Sequence, residues 1–185
     1  MNTSEKLSAL RHLLREIGAK AVYVGTTDPH QSESVSAHWK AVQWLTGFTG
    51  SMGYAVVTED YAEFWTDGRY TTQAAREIEA GTFHINSVSE PDTPDWDEWL
   101  VTQMHEGDAL SVDGEVLSEA MLEAIKQKLP IKGLRVLYDR NLVGEIWQDR
   151  PAVPQDPIWE LPPKYAVESR SEKLVLLRQR LKKYG

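Results

Sequence analysis

"YAVVTEDYAEFWTDGRYTTQAAREIEAGTFHINSV", residues 54–88, shows what kind of sheet this chain builds. Two β-prone runs, YAVVT (54–58) and AEFWT (62–66), flank the tight turn EDY, a hairpin pattern that implies an antiparallel pair. DGR (67–69) then turns the chain into a helix predicted over 70–80, which Gly81 ends, and TFHINSV (82–88) returns as a strand. Hairpin followed by strand, helix, strand calls for a mixed sheet.

Working outward, the same alternation extends in both directions. Upstream, Asn2 and Glu5 stand at capping-box spacing, Leu7, Leu10, Leu14 and Ile17 follow at helical intervals, and Gly18 supplies the stop. AKAVYV (19–24) reads as a buried strand whose end runs into the loop GTTDPHQSE (25–33). Ser36 is placed to cap a short helix through AHWKAVQWL, and the glycines at 47, 50 and 53 interrupt it before the hairpin. Downstream, Thr93 and Pro94 form a cap and first-turn pair for DWDEWLVTQM. ALSVD, the helix SEAMLEAIKQKL, the strand LRVLY and the short helix NLVGEIW complete an α/β domain, a mixed sheet flanked by helices.

The segment QDRPAVPQDPIWELPPKY that follows holds five of the nine prolines, so it reads as an extended linker with little capacity for helix or ladder. Beyond it, Ser169 and Glu172 repeat the capping-box spacing, and Leu174, Leu177 and Leu181 draw an apolar stripe on a basic helix. That helix either folds back onto the first domain or opens a further domain, and the rigid spacer favours the second. The expected organisation is a domain over 1–148, a linker over 149–168, and over 169–185 the first helix of a truncated second domain.

Composition narrows the function. A net charge of −8 opposes phosphate backbones and anionic lipid surfaces, so neither nucleic acid nor membrane is an expected partner. No run approaches the ~20 apolar residues of a membrane span, and the N-terminus lacks a signal peptide's pattern. The absence of cysteine removes thiolate ligands and thiol nucleophiles and fits a cytoplasmic protein.

The polar loop DPHQSE (28–33) could supply metal ligands from Asp28, His30 and Glu33, with His38 nearby. Its spacing matches no known cage, and a self-capping polar loop accounts for the same residues more simply. TGFTGSMG lacks the Lys-Ser/Thr of a phosphate loop, and no elbow frames Ser32, Ser34, Ser36 or Ser51 as a nucleophile. Arg69 sits at a helix start, where a cation opposes the helix dipole. It either pairs with Asp67 or Glu63 or is kept for another contact, and local sequence leaves the two level. Asp28 and Asp67 fit turn-forming as well as binding.

The run from Asp28 to Ala74 resembles the N-terminal domain of Xaa-Pro aminopeptidases, the aminopeptidase P group of the creatinase/prolidase family (peptidase family M24). HQSE, LTGFTGS and WTDGRY with QA soon after carry the likeness, in this order and at these distances. NLVGEIWQDRPAVPQDPIWELPPKYAVES resembles the passage into the second domain of three-domain members, and SEKLVLLRQRL that domain's first helix. The resemblance implies a ribonuclease-H-like mixed sheet. It also implies a parent enzyme, a metallopeptidase that removes the N-terminal residue from peptides with proline second. Its two divalent ions, usually manganese, are held by a C-terminal catalytic domain whose two aspartates, histidine and two glutamates are not in this chain. These 185 residues are accordingly expected to bind no cofactor and to be inactive alone. Their expected partners are the peptide substrate, the enzyme's own C-terminal domains and a second copy in a homodimer. Carried over onto matching positions, the substrate-facing residues are Glu33 (receiving the free ammonium or orienting Arg69), Arg69 (a carbonyl or carboxylate contact) and His30 (supporting the loop). The alternatives are a free-standing, non-catalytic peptide-binding or dimerisation module, and a small metal-dependent hydrolase built on His30, Glu33 and His38.

Overall fold

Asn2 and Glu5 cap each other's backbone N–H as their spacing predicts, and the helix they open, α1 (Thr3–Ile17), ends at Gly18 in the left-handed region. The computed structural model describes residues 1–162 and 164–184. The chain divides into two compact units, residues 1–153 and 154–185. No helix among the described residues is long and apolar enough to cross a membrane.

The first unit is built on six strands: β1 (Ala21–Gly25), β2 (Tyr54–Thr58), β3 (Ala62–Thr66), β4 (His84–Ser87), β5 (Ala109–Val112) and β6 (Arg135–Leu137). They lie in the order β4-β3-β2-β1-β5-β6. β2 runs antiparallel to both β1 and β3, with Val22 opposite Val57 and Tyr54 opposite Trp65. The β3–β4, β1–β5 and β5–β6 pairs are parallel. The mixed sheet read from residues 54–88 is therefore present, with the hairpin between β4 and β1.

Alternation along the strands feeds two cores. Val22, Val24, Ala55, Val57 and Phe64 face α1, α2 (Ala41–Thr46), α3 (Thr71–Glu77) and α6 (Leu142–Ile146), meeting Leu10, Leu45 and Ala74. Ala21, Val56, Trp65 and Leu110 face α4 (Trp96–Gln103) and α5 (Glu119–Lys128), meeting Trp96, Leu100 and Ile125. Each face is thus apolar at every second residue, the period-2 signature of a sheet covered on both sides.

Three local expectations give way to longer-range contacts. The cap of α4 is Asp95 rather than Thr93: its carboxylate accepts the Trp96 N–H. Pro94 stays outside the helix, its carbonyl taken by the Trp65 indole at 2.9 Å. α3 stops at Glu77, short of Gly81, because Ile78 turns extended and buries its side chain. The helix expected from Ser36 is split into a 3-10 turn, Ala37–Trp39, and α2, and Ser36 makes no side-chain cap. In a continuous helix the His38 carbonyl would accept the residue 42 N–H. Here Arg150 Nε occupies it at 2.9 Å.

In the second unit, Ser169 and Glu172 cap α7 (Arg170–Leu181) reciprocally, as read from their spacing. Leu174, Leu177 and Leu181 are about half exposed.

Candidate functional site

β1 and β3 point the same way because each is antiparallel to β2 between them, so their carboxyl ends open on the side where β2 begins. Neighbouring strands are spaced about 4.8 Å apart, which sets these two ends roughly 10 Å from each other. DPHQSE leaves β1 there, DGR leaves β3 there, and the glycine-rich 47–53 segment enters β2 between them. In sheets of this kind the carboxyl edge is where ligands bind.

Asp28 organises the first loop. It is buried, and its Oδ1 accepts the N–H of His30 at 2.9 Å and of Ser32 at 3.0 Å. The Ser32 backbone bond is the main cause holding its carboxyl below the usual range. Gln31 takes a left-handed φ of 55°, a strained state for a side chain of its size. Its amide is held there by the carbonyls of Asp28 and Val116, at 3.2 and 3.1 Å. Asp28 is therefore a turn-former, and its turn exposes His30 and Glu33.

Glu33 lines a cleft of about 210 Å³ together with Lys40 and Gln43, opposite Phe48, Thr49 and Ser51 of the glycine-rich segment. That wall is stapled from α3. Glu77 accepts the Thr49 N–H at 2.8 Å and the Thr49 hydroxyl at 2.9 Å, and Gln73 donates to both Thr49 and Glu77. Partial burial raises the Glu77 carboxyl, but the bonds from Thr49 and Gln73 outweigh it and leave it below its ordinary value. A second hollow on the other side of Thr26 and Ser51 reaches Gln31, Met52 and Tyr54.

Arg69 is mostly exposed and pairs with Asp67, Nη2 to Oδ2 at 2.6 Å and Nε to Oδ1 at 3.0 Å. The Arg69 bond draws the Asp67 carboxyl down. Glu63, the other partner weighed for Arg69, instead accepts His84 Nδ1 at 2.9 Å and Asn86 at 2.7 Å. Asp67 orients Arg69; Glu33 makes no hydrogen bond to it. The guanidinium stands 5.3 Å over the Tyr70 ring, whose hydroxyl meets Ser51 at 2.8 Å, so Arg69 reaches the cleft wall through Tyr70. The His30 ring has no hydrogen-bond partner among the described residues.

The metal-ligand set considered for this loop is not assembled. Asp28 spends Oδ1 on its own turn, and His38 turns its Nδ1 to the Pro151 carbonyl at 2.6 Å. Among the described residues no three His, Cys, Asp or Glu side chains converge as metal ligands. Gln31 belongs to the HQSE stretch that the resemblance turned toward the cleft, whereas Lys40, Gln43 and Glu77 belong to the site but were not marked in the sequence. For Glu77 the helical spacing from Gln73 was available as a signal; for the left-handed backbone of Gln31 there was none.

Against known proteins, residues 6–137 match the model of the Creatinase/Prolidase N-terminal domain. The chain is 37% identical over 186 residues to "Probable Xaa-Pro aminopeptidase P" of Pyricularia oryzae, covering 99% of this chain and 30% of that protein. It is 36% identical over 186 residues to "Aminopeptidase P2" of Arabidopsis thaliana, covering 98% of this chain and 26% of the relative. The chain thus spans about 30% or less of the length of these two relatives. The crystal structure of X-prolyl aminopeptidase from Caenorhabditis elegans, described as a cytosolic enzyme with a di-nuclear active site, superposes with a TM-score of 0.86. It is 31% identical and covers 100% of this chain and 32% of that one. The N-terminal domain of cytoplasmic peptidase PepQ from Mycobacterium tuberculosis H37Rv shares the fold, with a TM-score of 0.56 at 23% identity, covering 76% and 97%.

Proposed function

The chain belongs to the creatinase/prolidase N-terminal domain family, and from that premise we propose that it is the non-catalytic first domain of a dimetal Xaa-Pro aminopeptidase. Such an enzyme removes the N-terminal residue from peptides with proline second. The observation that carries the reading is the gathering of DPHQSE, the glycine-rich segment and DGR at one end of the sheet, around a polar cleft that Glu33 lines. A concave wall lined largely by polar side chains suits one side of a substrate cleft that another domain completes. In this reading Glu33 receives the peptide's free ammonium, Arg69 contacts a carbonyl or carboxylate, and His30 supports the loop. The domain also supports a homodimer, and the protein is cytoplasmic.

Residues 1–148 form the domain, 149–168 the linker and 169–185 the first helix of the second domain, a division supported by the five prolines of the linker and the capping box that opens α7. Asp28 and His38, two of the ligands weighed for a metal in this loop, are spent on backbone groups, and among the described residues no three candidate ligands converge. The two divalent ions, manganese in this proposal, and the Lewis-acid chemistry they supply are assigned to the remainder of the enzyme.

Two experiments test the reading. The purified 185-residue chain is expected to show no turnover of a Xaa-Pro peptide with added manganese; turnover that tracks the protein through purification would sink it. In the enzyme that contains this chain, Glu33→Ala is expected to lower activity far more than Glu79→Ala, a change at an exposed residue of the α3–β4 connection. Equal effects would remove Glu33 from the site.

A further inference from the structure

The segment between β1 and α2 is pinned at both ends and free between them. Upstream, Asp28 and Gln31 hold it through the bonds already described. Downstream, Arg150 Nε donates to the His38 carbonyl at 2.9 Å, and His38 Nδ1 lies 2.6 Å from the Pro151 carbonyl, which places the imidazole proton on Nδ1. In the intervening stretch, Glu33, Ser34 and Val35 make no hydrogen bond among the described residues.

The downstream pin is a built feature. The Arg150 guanidinium lies 5.0 Å from the Trp39 ring and 5.8 Å from the Trp147 ring, and Trp147 is itself stacked on Trp44 at 5.4 Å. Gly144 leaves room for it, since an added Cβ there would come within 2.8 Å of Arg150 Nη1. The same bond takes the carbonyl that would have continued α2 backwards, so Arg150 shapes the segment as well as tethering it. A planar, directional fork flanked by two indoles is a task that lysine cannot perform.

We propose that Arg150 is a positioning residue for Glu33: by fixing His38 to the last turns of the sheet domain, it sets where the Glu33 loop stands in the cleft. This rests on the proposed role of Glu33 as the ammonium contact. A loop released at His38 has to be ordered by each substrate molecule as it binds, so the loss falls on binding rather than on the chemical step.

The test has two arms. In the 185-residue chain, backbone order parameters of residues 33–38 are expected near the rigid value of about 0.85 and to fall below about 0.6 in Arg150→Ala, while those of β1 hold. Arg150→Lys keeps the charge and much of the stem; it is expected to loosen the same residues and serves if the alanine variant does not fold. Unchanged order in both variants, or a rise in mobility spread evenly over the domain, overturns the proposal. In the enzyme containing this chain, Arg150→Ala is expected to raise KM about tenfold with kcat within about twofold. Adding Arg150→Ala to Glu33→Ala is expected to cost nothing further, whereas multiplicative losses would show that Arg150 does not act through Glu33. If Glu33→Ala alone is silent, the ammonium assignment falls, and the order parameters still decide whether Arg150 holds the loop.

Discussion

Replacing Gly53 by alanine probes the wall of the second hollow, and its cost can be worked from the packing. Gly53 is buried just before β2, and its carbonyl accepts the Thr26 hydroxyl at 2.7 Å. A Cβ there would lie 2.6 Å from Phe64 Cζ and 3.1 Å from Phe48 Cε1. Both rings are enclosed, 0% and 1% exposed, and already meet edge-on with centroids 4.9 Å apart, so neither can swing aside. Overpacking of this kind costs about 1–3 kcal/mol. The smaller freedom of an alanine-containing unfolded chain returns about 0.4–1 kcal/mol. The expected net loss is about 1–2 kcal/mol, which for a domain of this size lowers Tm by about 2–8 °C. Calorimetry of the 185-residue chain, with a urea midpoint at unchanged slope, reads it directly. Phe64→Leu in the same chain frees the colliding ring atoms, so the double variant should lose less than the sum of the singles. A Tm that is unchanged or raised in Gly53→Ala, or strictly additive losses, would refute the argument from ring contact.

Two further outcomes follow from ionisable groups. Glu77 is held below its ordinary value, so its stabilising effect is present above the unfolded carboxyl's pKa of about 4.3 and is lost as pH falls through the folded one. Thermal scans of the wild type and Glu77→Gln between pH 3 and 6 should therefore converge toward acid; a constant gap would contradict the staple on Thr49. Burial, and then Asp95, hold the hydroxyls of Tyr23 and Tyr54 well above the ordinary tyrosine range. Unfolded tyrosines ionise near pH 10, so stability present below that pH declines as pH rises past it. Tyr54→Phe, which gives up a hydrogen bond to Asp95, should cost about 1–2 kcal/mol at pH 7 and progressively less at pH 11; an equal cost at both would count against this assignment.

What could be read in advance was what short-range chemistry specifies. Asn2 with Glu5, Gly18, the EDY turn and Ser169 with Glu172 all involve residues within a few positions of one another, and all stand as read. What could not be read depended on partners remote in sequence. Asp95 takes over the α4 cap while also holding Tyr54, and Arg150 breaks the helix at His38 from the far end of the domain. At the site, local sequence left Arg69 divided between pairing partners and another contact; the geometry chooses Asp67 and leaves the remaining guanidinium surface exposed. Glu33 was singled out through a resemblance, since nothing in its spacing says that it lines a cleft with Lys40 and Gln43. The backbone of Gln31 is the plainest miss, because a left-handed glutamine leaves no mark on the sequence.

The central place of β1 bears on how the molecule is made. Its antiparallel partner β2 follows one helix later and is already joined to β3 by a tight turn, whereas its parallel partner β5 pairs Leu110 with Ala21 across most of the domain's length. Loop-closure entropy makes the second pairing the slow one. A nascent chain can therefore assemble β1, β2 and β3, with the cleft-bearing ends, while the other edge of β1 waits as an open template. Folding kinetics should show it: weakening Val56 in the hairpin should slow folding, and weakening Leu110 should mainly speed unfolding. The interval between those two events is when this protein is most exposed to pairing with the wrong strand.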